Sequence, residues 1–228
     1  MFLAALVIAA TVSASPSPAA APNGAAAPPD GVYNYTITQA GTAMGKSAVT
    51  IKRSDIGLTI HESQTLTGSH SFIIDEILDS LTLAPKAYVG SYSIGDDSPS
   101  VARAAFDRSG ATVTIDGVPG TAPLPNPRGV RDAYVMEGSL VSGFALLPAQ
   151  IHSSRATQFS EIVPRQVLQI LGRVEPHPGS TRPSGVPAGD AVLSVSSSVN
   201  FDAWYDPATF VLHAVSVPSQ QVLISLTK

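Results

Sequence analysis

Asp190-Ala-Val-Leu-Ser-Val-Ser-Ser-Ser-Val-Asn-Phe-Asp-Ala-Trp-Tyr205 is followed by a turn at Asp206-Pro207 and then by Phe210-Val-Leu-His-Ala-Val-Ser-Val-Pro218 and Gln221-Val-Leu-Ile-Ser-Leu-Thr227. In these runs Val, Leu, Phe and Trp alternate with Ser, Asn and Asp, which gives each strand one apolar and one hydrated face. The Asp-Pro pair predicts a turn, because proline fixes φ and the carboxylate can accept hydrogen bonds from the turn backbone. We therefore predict a C-terminal antiparallel sheet onto which earlier strands are built.

Further strands are predicted upstream by the same alternation. Residues 31–38, 47–53 and 58–64 are short, rich in β-branched residues and separated by turn sequences, which favours a meander. Residues 72–81 satisfy the spacing of a helix as well as that of a strand, and the strands on both sides favour a strand ending before Pro85. Later strands are expected at residues 87–94, 100–106, 111–115 and 131–137. Residues 158–173 are expected to form one or two strands broken by Pro164, which predicts an edge position there.

One helix is predicted at Ser139-Leu-Val-Ser-Gly-Phe-Ala-Leu-Leu147. Ser139 can cap its first turn, its apolar residues share one face, and Pro148 is expected to end it. Residues 118–129 and 174–189 are rich in Pro and Gly, which predicts two loops. The predicted fold class is mainly β: a single curved antiparallel sheet or incomplete β-barrel, with one short helix packed on its concave face.

The N-terminal residues predict export. Phe2-Leu-Ala-Ala-Leu-Val-Ile-Ala-Ala-Thr-Val12 is apolar and precedes small residues, which is typical of a signal peptide over residues 1–14, although no Lys or Arg precedes the run. The run is shorter than the roughly 20 residues of a membrane-spanning helix. Residues 15–29 are Ala, Pro and Ser with little to bury, so a disordered linker is expected before a β-rich half-barrel domain at 30–228. The predicted location is periplasmic or secreted.

Composition excludes several kinds of site. The chain has no cysteine, which excludes disulfides, thiolate metal ligands and a lipidated cysteine. A net charge of −4, with only 13% charged residues and scattered Lys and Arg, argues against a nucleic-acid surface. Partners held by a strong electrostatic field are not expected either.

The sharpest apparent motif is Ala40-Gly-Thr-Ala-Met-Gly-Lys-Ser47, which satisfies a relaxed phosphate-binding loop pattern. Such a loop needs a helix that begins at the Lys-Ser pair, so that its amides and dipole meet the phosphates. Here the residues that follow have a strand pattern. A hairpin turn that contains Gly-Lys-Ser is therefore the favoured interpretation.

No arrangement of reactive side chains predicts an enzyme. Ser142-Gly143 lacks the preceding Gly of a nucleophile elbow, and the five histidines are far apart in the sequence. Asp75, Glu76 and Asp79 could form an acid–base pair on a helix, but solvated polar positions are the favoured interpretation. We expect no catalytic residues, no metal site and no cofactor.

Apolar area on the concave face remains as the candidate site. With 44% hydrophobic residues, a long sheet covered by one short helix can leave part of this face unsealed for a lipid or other hydrophobic small molecule. Ordinary core packing is the alternative. Candidate lining residues are Val141, Phe144, Leu147, Trp204 and Tyr205. Two other functions are kept open: an envelope assembly module that pairs through an exposed sheet edge, and a secreted hydrolase.

A resemblance supports the half-barrel. Phe201-Asp-Ala-Trp-Tyr-Asp-Pro-Ala-Thr209 with Val217-Pro-Ser-Gln-Gln221 resembles the closing hairpin of a group of bacterial envelope domains of unknown function. Tyr33-Asn-Tyr-Thr-Ile37, followed by Gly41 and Gly45, is similar to their first hairpin. Those domains are distantly similar to periplasmic lipoprotein carriers, in which a curved antiparallel sheet wraps a helix and shields an apolar chain. The resemblance spans most of residues 31–228, implies a non-enzymatic carrier fold and brings no catalytic residues.

Overall fold

A computed structural model describes residues 26–95, 97–138 and 140–227. The predicted signal peptide and linker residues 15–25 lie outside this part. Residues 26–29, the end of the predicted linker, are held against the domain: Ala27 packs on the core and accepts a hydrogen bond from the Arg53 guanidinium (3.1 Å). The Pro29 carbonyl accepts another from the Tyr33 hydroxyl (2.8 Å).

The described residues form fifteen strands and one α-helix. The first eight strands are β1 Gly31–Gln39, β2 Thr42–Ser54, β3 Gly57–Leu66, β4 His70–Leu78, β5 Pro85–Ile94, β6 Ser100–Asp107, β7 Gly110–Ile115 and β8 Ala122–Pro125. The short strand β9 Ala133–Val135 precedes the helix α1 Val141–Ser154. The last six strands are β10 Gln158–Val163, β11 Leu168–Glu175, β12 Ala191–Ser196, β13 Phe201–Tyr205, β14 Leu212–Val217 and β15 Val222–Leu226.

All fifteen strands belong to one sheet, in the order β8-β7-β6-β5-β4-β3-β2-β1-β15-β14-β13-β12-β11-β10-β9. Neighbours are antiparallel except β9 and β10, which are parallel. β8 and β9 are the two free edges, so the sheet does not close. The helix contacts β2, β3, β9, β13 and β14, which are far apart in the sheet order and can be reached together only from the concave side. The predicted fold class is confirmed.

Alternation along the strands builds the core. In β4 the inward residues Phe72, Ile74 and Leu78 are buried, while Ile73 is half exposed. This region therefore adopts the strand rather than the helix alternative, and the strand ends at Leu78. One core cluster joins α1 to β1–β3 and β12–β15, and a second lies against β4–β7. The predicted turn at Asp206 is also present: its carboxylate accepts bonds from the backbone N–H groups of Ala208 (2.7 Å) and Thr209 (3.1 Å).

The helix differs from its prediction. It continues through Pro148 to Ser154, and Arg155 caps its C-terminus with a left-handed backbone (φ 55°). A proline inside a helix costs about 3 kcal/mol. Residues 141–150 are all buried, and this packing outweighs the loss. Ser139, the predicted cap, lies outside the described residues; the N-cap position is Leu140, which makes no side-chain cap hydrogen bond.

The predictions made from proline are only partly confirmed. Pro164 interrupts residues 158–173 as predicted, but the resulting strands β10 and β11 are not at a sheet edge, because β9 and β12 flank them. Pro85 begins β5, and β4 already ends at Leu78. The loop expected at 118–129 contains the edge strand β8, which includes Pro123 and Pro125. The Asn126 N–H points in the plane of the sheet towards the β6–β7 hairpin and donates to the Ser109 carbonyl (2.7 Å). By alternation the nitrogens of Pro123 and Pro125 point the other way, to the open edge of the sheet, where no neighbouring strand needs a donor.

Candidate functional site

The chain connections place alternate hairpin turns along one edge of the sheet. Five consecutive turns of this edge form the part that we call the rim: residues 40–41, 67–69, 164–167, 197–200 and 218–221. An antiparallel sheet brings alternate turns to the same edge, so the rim follows directly from the strand order. The segment that precedes α1 reaches the same place, because Gly138 and Phe144 line the cavity described next.

A cavity of about 550 Å³ opens at the rim, which is within the usual range for a small-molecule site. Phe144 and Phe201 form part of its wall and meet edge to face, with ring centroids 4.9 Å apart. The remaining apolar wall comes from side chains of the rim and adjoining strands: Ile37, Met44, Leu66, Met136, Val163, Leu168, Ile170, Val199, Val217, Val222 and Ile224. Polar groups are few: Gln39, Glu161, Gln166, Ser197, Ser198 and Gln220. The arrangement suits an apolar chain with a small polar end.

Two of the rim turns repeat the same sequence and conformation. They are Val163-Pro-Arg-Gln-Val167 and Val217-Pro-Ser-Gln-Gln221. The leading valines have φ of −114° and −117°, and both closing residues are left-handed at φ 54°. In each turn the closing N–H donates to the proline carbonyl at 3.1 Å. The shared geometry directs Gln166 and Gln220 to the cavity, and the recurring Val-Pro-x-Gln was the signal in the sequence that could have paired them.

Glu161 is the one acidic residue among those lining the cavity, and only 8% of it is exposed. It shares the inward face of β10 with Phe159, two residues before it, and with Val163, two residues after it. Its Oε2 has no hydrogen-bond partner among the described residues. Burial raises the pKa of this carboxyl, and the Ser197 hydroxyl opposes that shift only in part.

A second buried glutamate fixes the start of the helix. Glu62 of β3 is fully buried; its Oε1 accepts from the Val141 N–H (3.0 Å) and its Oε2 from the Ser142 N–H (2.8 Å). The Ser47 hydroxyl donates to Oε1 as well (2.7 Å). A carboxylate at a helix N-terminus satisfies free N–H groups and interacts favourably with the helix dipole. A strand residue thus caps the N-terminus of the helix.

A third polar group lies between the second core cluster and the rim. The hydroxyls of Tyr88 and Tyr92 are hydrogen-bonded, and Tyr92 in turn donates to Glu137 Oε2 (2.6 Å). The Arg165 guanidinium lies over the Tyr92 ring, 4.9 Å from its centroid. Burial raises the pKa of both tyrosines and of Glu137.

Glu76 corrects the expectation that the carboxylates of this region are solvated. It lies on the inward face of β4, 3% exposed, and its Oε1 has no hydrogen-bond partner among the described residues. Burial raises its pKa to about 8. Asp75 is exposed. Asp79 is partly exposed, accepts hydrogen bonds from its own turn and pairs with Lys86 (3.1 Å).

The five predicted lining residues are placed differently from one another. Phe144 lines the cavity. Val141 and Leu147 are fully buried in the core cluster behind it. Tyr205 packs on the same cluster at the edge opposite the rim, stacked on a phenylalanine. Trp204 alternates with the inward residues of β13 and is therefore on the convex side, although it is only 2% exposed.

The loop at 176–189 is bound to the convex face of β13. Asp202, on the same side of β13 as Trp204, accepts hydrogen bonds from the Gly179 N–H (3.2 Å) and from the Ser180 hydroxyl. The Ser194 hydroxyl donates to it at 2.5 Å. The loop is thus fastened across the outside of the sheet, which strand alternation alone does not indicate.

The other sequence motifs contribute no polar side chain to the cavity. The Gly-Lys-Ser stretch spans the β1–β2 hairpin and continues as strand, as its pattern indicated. His61 pairs with Asp75 (2.9 Å) and His213 with Asp190 (2.7 Å); none of these four lines the rim cavity. Across the part of the chain that the structure covers, no three His, Asp or Glu side chains are grouped to hold a metal ion.

Comparison with known proteins gives no relative: no family model, no curated protein and no solved structure matches this chain. Among the described residues, no helix combines the length and apolarity that crossing a bilayer would require.

Proposed function

We propose that this protein is an exported, non-enzymatic carrier that binds a lipid or another hydrophobic molecule in the rim cavity. The observation that carries the proposal is the cavity itself: about 550 Å³, walled mainly by apolar side chains and open at an edge of the sheet. Each methylene buried there would contribute about 0.8 kcal/mol. A chain of modest length could therefore offset the cost of association.

The construction of the site supports binding rather than core packing. The helix start is fixed by the buried Glu62 and the rim turn at 164–167 is tied to Glu137, so both sides of the cavity are held in place. A preformed apolar cavity loses less entropy on binding than one that must be ordered. Location in the envelope is part of the proposal and follows from the apolar N-terminal run.

Native mass spectrometry of the protein purified from the cells that make it would test the proposal, together with uptake of diphenylhexatriene, a hydrocarbon that fluoresces in apolar sites. We expect a co-purifying lipid mass and saturable uptake with one site per chain. Absence of both would refute the carrier function. Fractionation of the same cells should place the protein outside the cytoplasm.

A further inference from the structure

The cavity contains a buried acidic side chain, one oxygen of which accepts no hydrogen bond from the described residues. Glu161 is more than nine-tenths buried, it lines the cavity, and its Oε2 has no hydrogen-bond partner among the described residues. It forms no ion pair with any described Lys, Arg or His. A buried polar group without a partner destabilises a fold, so such a group indicates that something else supplies the missing hydrogen bond.

The surroundings of Glu161 limit what that partner can be. Its strand neighbours in the ladder are Ile170 on β11 and Tyr134 on β9. Neither of these neighbours supplies a donor to Oε2. A donor on the ligand would satisfy the carboxyl oxygen from within the cavity.

Charge in the lining excludes one large group of lipids. None of the described residues that line the cavity is Lys, Arg or His, so an anionic head group would find no cation. It would instead lie beside a second acidic group, and like charges at close range disfavour each other. The amide groups of Gln39, Gln166 and Gln220 can hydrogen-bond further neutral groups near the mouth.

We propose that the ligand of this cavity is a lipid whose polar end is not anionic and donates a hydrogen bond, from a hydroxyl or an amine, to the Glu161 carboxyl. The proposal rests on the carrier function given above and names its class of ligand. Glu161 is then the residue that selects the head group, while the apolar wall holds the chain.

Three ligands of equal chain length distinguish the head groups: 1-dodecanol, dodecylamine and dodecanoate, each used to displace diphenylhexatriene from the protein. We expect the alcohol and the amine to displace the probe at concentrations about tenfold lower than the carboxylate, the size of effect that one hydrogen bond to an acidic group gives. If only the amine is preferred, the natural donor is an ammonium group; if both are, a neutral hydroxyl suffices.

Glu161→Gln keeps the shape but gives the site a donor of its own, and Glu161→Leu removes the polar group. In both variants the preference over dodecanoate should fall to less than about threefold, while probe uptake persists. Glu175→Gln, at an exposed glutamate outside the lining, is the matched control and should keep the wild-type preference. Circular dichroism would check that each variant is folded.

The failures are distinguishable. Wild-type protein that takes up no hydrocarbon probe would overturn the carrier function and this inference together. Uptake with equal displacement by all three ligands, or an unchanged preference in both Glu161 variants, would leave the carrier function standing and overturn the role of Glu161. Its carboxyl would then be satisfied by water alone.

Discussion

Tyr92 and Glu137 are joined by a 2.6 Å hydrogen bond, from the tyrosine hydroxyl to Oε2 of the carboxylate. The other oxygen, Oε1, accepts from the backbone N–H of Arg165, also at 2.6 Å. Tyr92 belongs to β5, Glu137 lies just before the helix, and Arg165 lies in a rim turn. One side chain therefore connects the far half of the sheet to the start of the helix and to the mouth of the cavity.

Glu137→Gln is expected to loosen this connection. Either orientation of the amide leaves one of the two sites worse paired, so the free energy of unfolding should fall by about 1–3 kcal/mol. Hydrogen exchange should show faster exchange of the backbone amides at residues 165–168 than in the wild type. Glu175→Gln, at an exposed position, is the control. Unchanged exchange in the rim turn would contradict the connection.

Glu62→Gln tests the cap that β3 supplies to the helix. The substituted amide can accept one of the two backbone hydrogen bonds but presents donors to the other N–H. We expect a loss of about 2 kcal/mol, or a melting temperature roughly 4–8 °C lower for a domain of this size. Thermal unfolding followed by circular dichroism measures it. A loss no larger than that of Glu175→Gln would argue against the cap.

Glu76 gives stability a dependence on pH. Its folded pKa of about 8 lies above the ordinary value of 4.5, so the folded protein holds a proton that the unfolded chain has released between these values. The contribution of Glu76 to the free energy of unfolding should therefore be highest below pH 4.5 and fall by up to about 1.4 kcal/mol per pH unit between 4.5 and 8. Above that window this contribution is constant.

Glu76→Gln should remove this part of the pH dependence. Burial raises the pKa of Glu137 and Glu161 too, so the informative quantity is the difference between wild type and variant in urea unfolding at several pH values. We expect the free energy of unfolding of the variant to rise steadily relative to that of the wild type from pH 5 to pH 8. Glu175→Gln, the same change at an exposed glutamate, is the control. A difference that stays constant with pH would rule out titration of Glu76.

Gly90→Ala tests the close approach of the two tyrosines. A methyl group at this position would overlap the hydroxyl oxygens of both Tyr88 and Tyr92, which cross the bare backbone of β5 there. Overpacking of this kind costs about 1–3 kcal/mol. Gly189→Ala is the matched control, since nothing lies within 4 Å of the added methyl. Equal stability of the two variants would show that the hydroxyls move apart freely.

Val222→Trp should fill the cavity. Val222 lines the wall but is only partly buried, so an indole can enter the open space without displacing core side chains. Uptake of diphenylhexatriene should fall at least about tenfold, while the melting temperature stays within about 4 °C of the wild type. Val32→Trp, which adds the same ring to a side chain that is 61% exposed, should bind normally. Equal uptake by both variants would place the binding site elsewhere.

Much of the fold follows from alternation of period two, because every second residue of a strand faces the concave side. Glutamates at these inward positions were a further signal in the sequence. Glu62 follows Leu58 and Ile60 on the inward phase, Glu76 follows Phe72 and Ile74, and Glu161 follows Phe159. An acidic residue in phase with apolar ones predicts a buried carboxyl, and each of these glutamates is buried.

Other features depend on contacts between distant parts of the chain. The helix passes Pro148 because the sheet buries its first ten residues, and no local signal reports that packing. Trp204 is buried on the convex side of the sheet, while Asp202, on the same side, is bound by a loop that arrives from residues 176–189. The rim turns are brought together by the strand order, which only the complete topology supplies.

The outermost strand, β8, has a consequence for behaviour at high concentration. An exposed strand normally offers its free N–H groups to another molecule and so begins a chain of intermolecular pairings. The nitrogens of Pro123 and Pro125 face the open edge and carry no hydrogen. A strand of a second copy that approached this edge would find carbonyl acceptors but not the N–H donors that a ladder needs. A crowded compartment could therefore hold this open sheet without fibres growing from that strand.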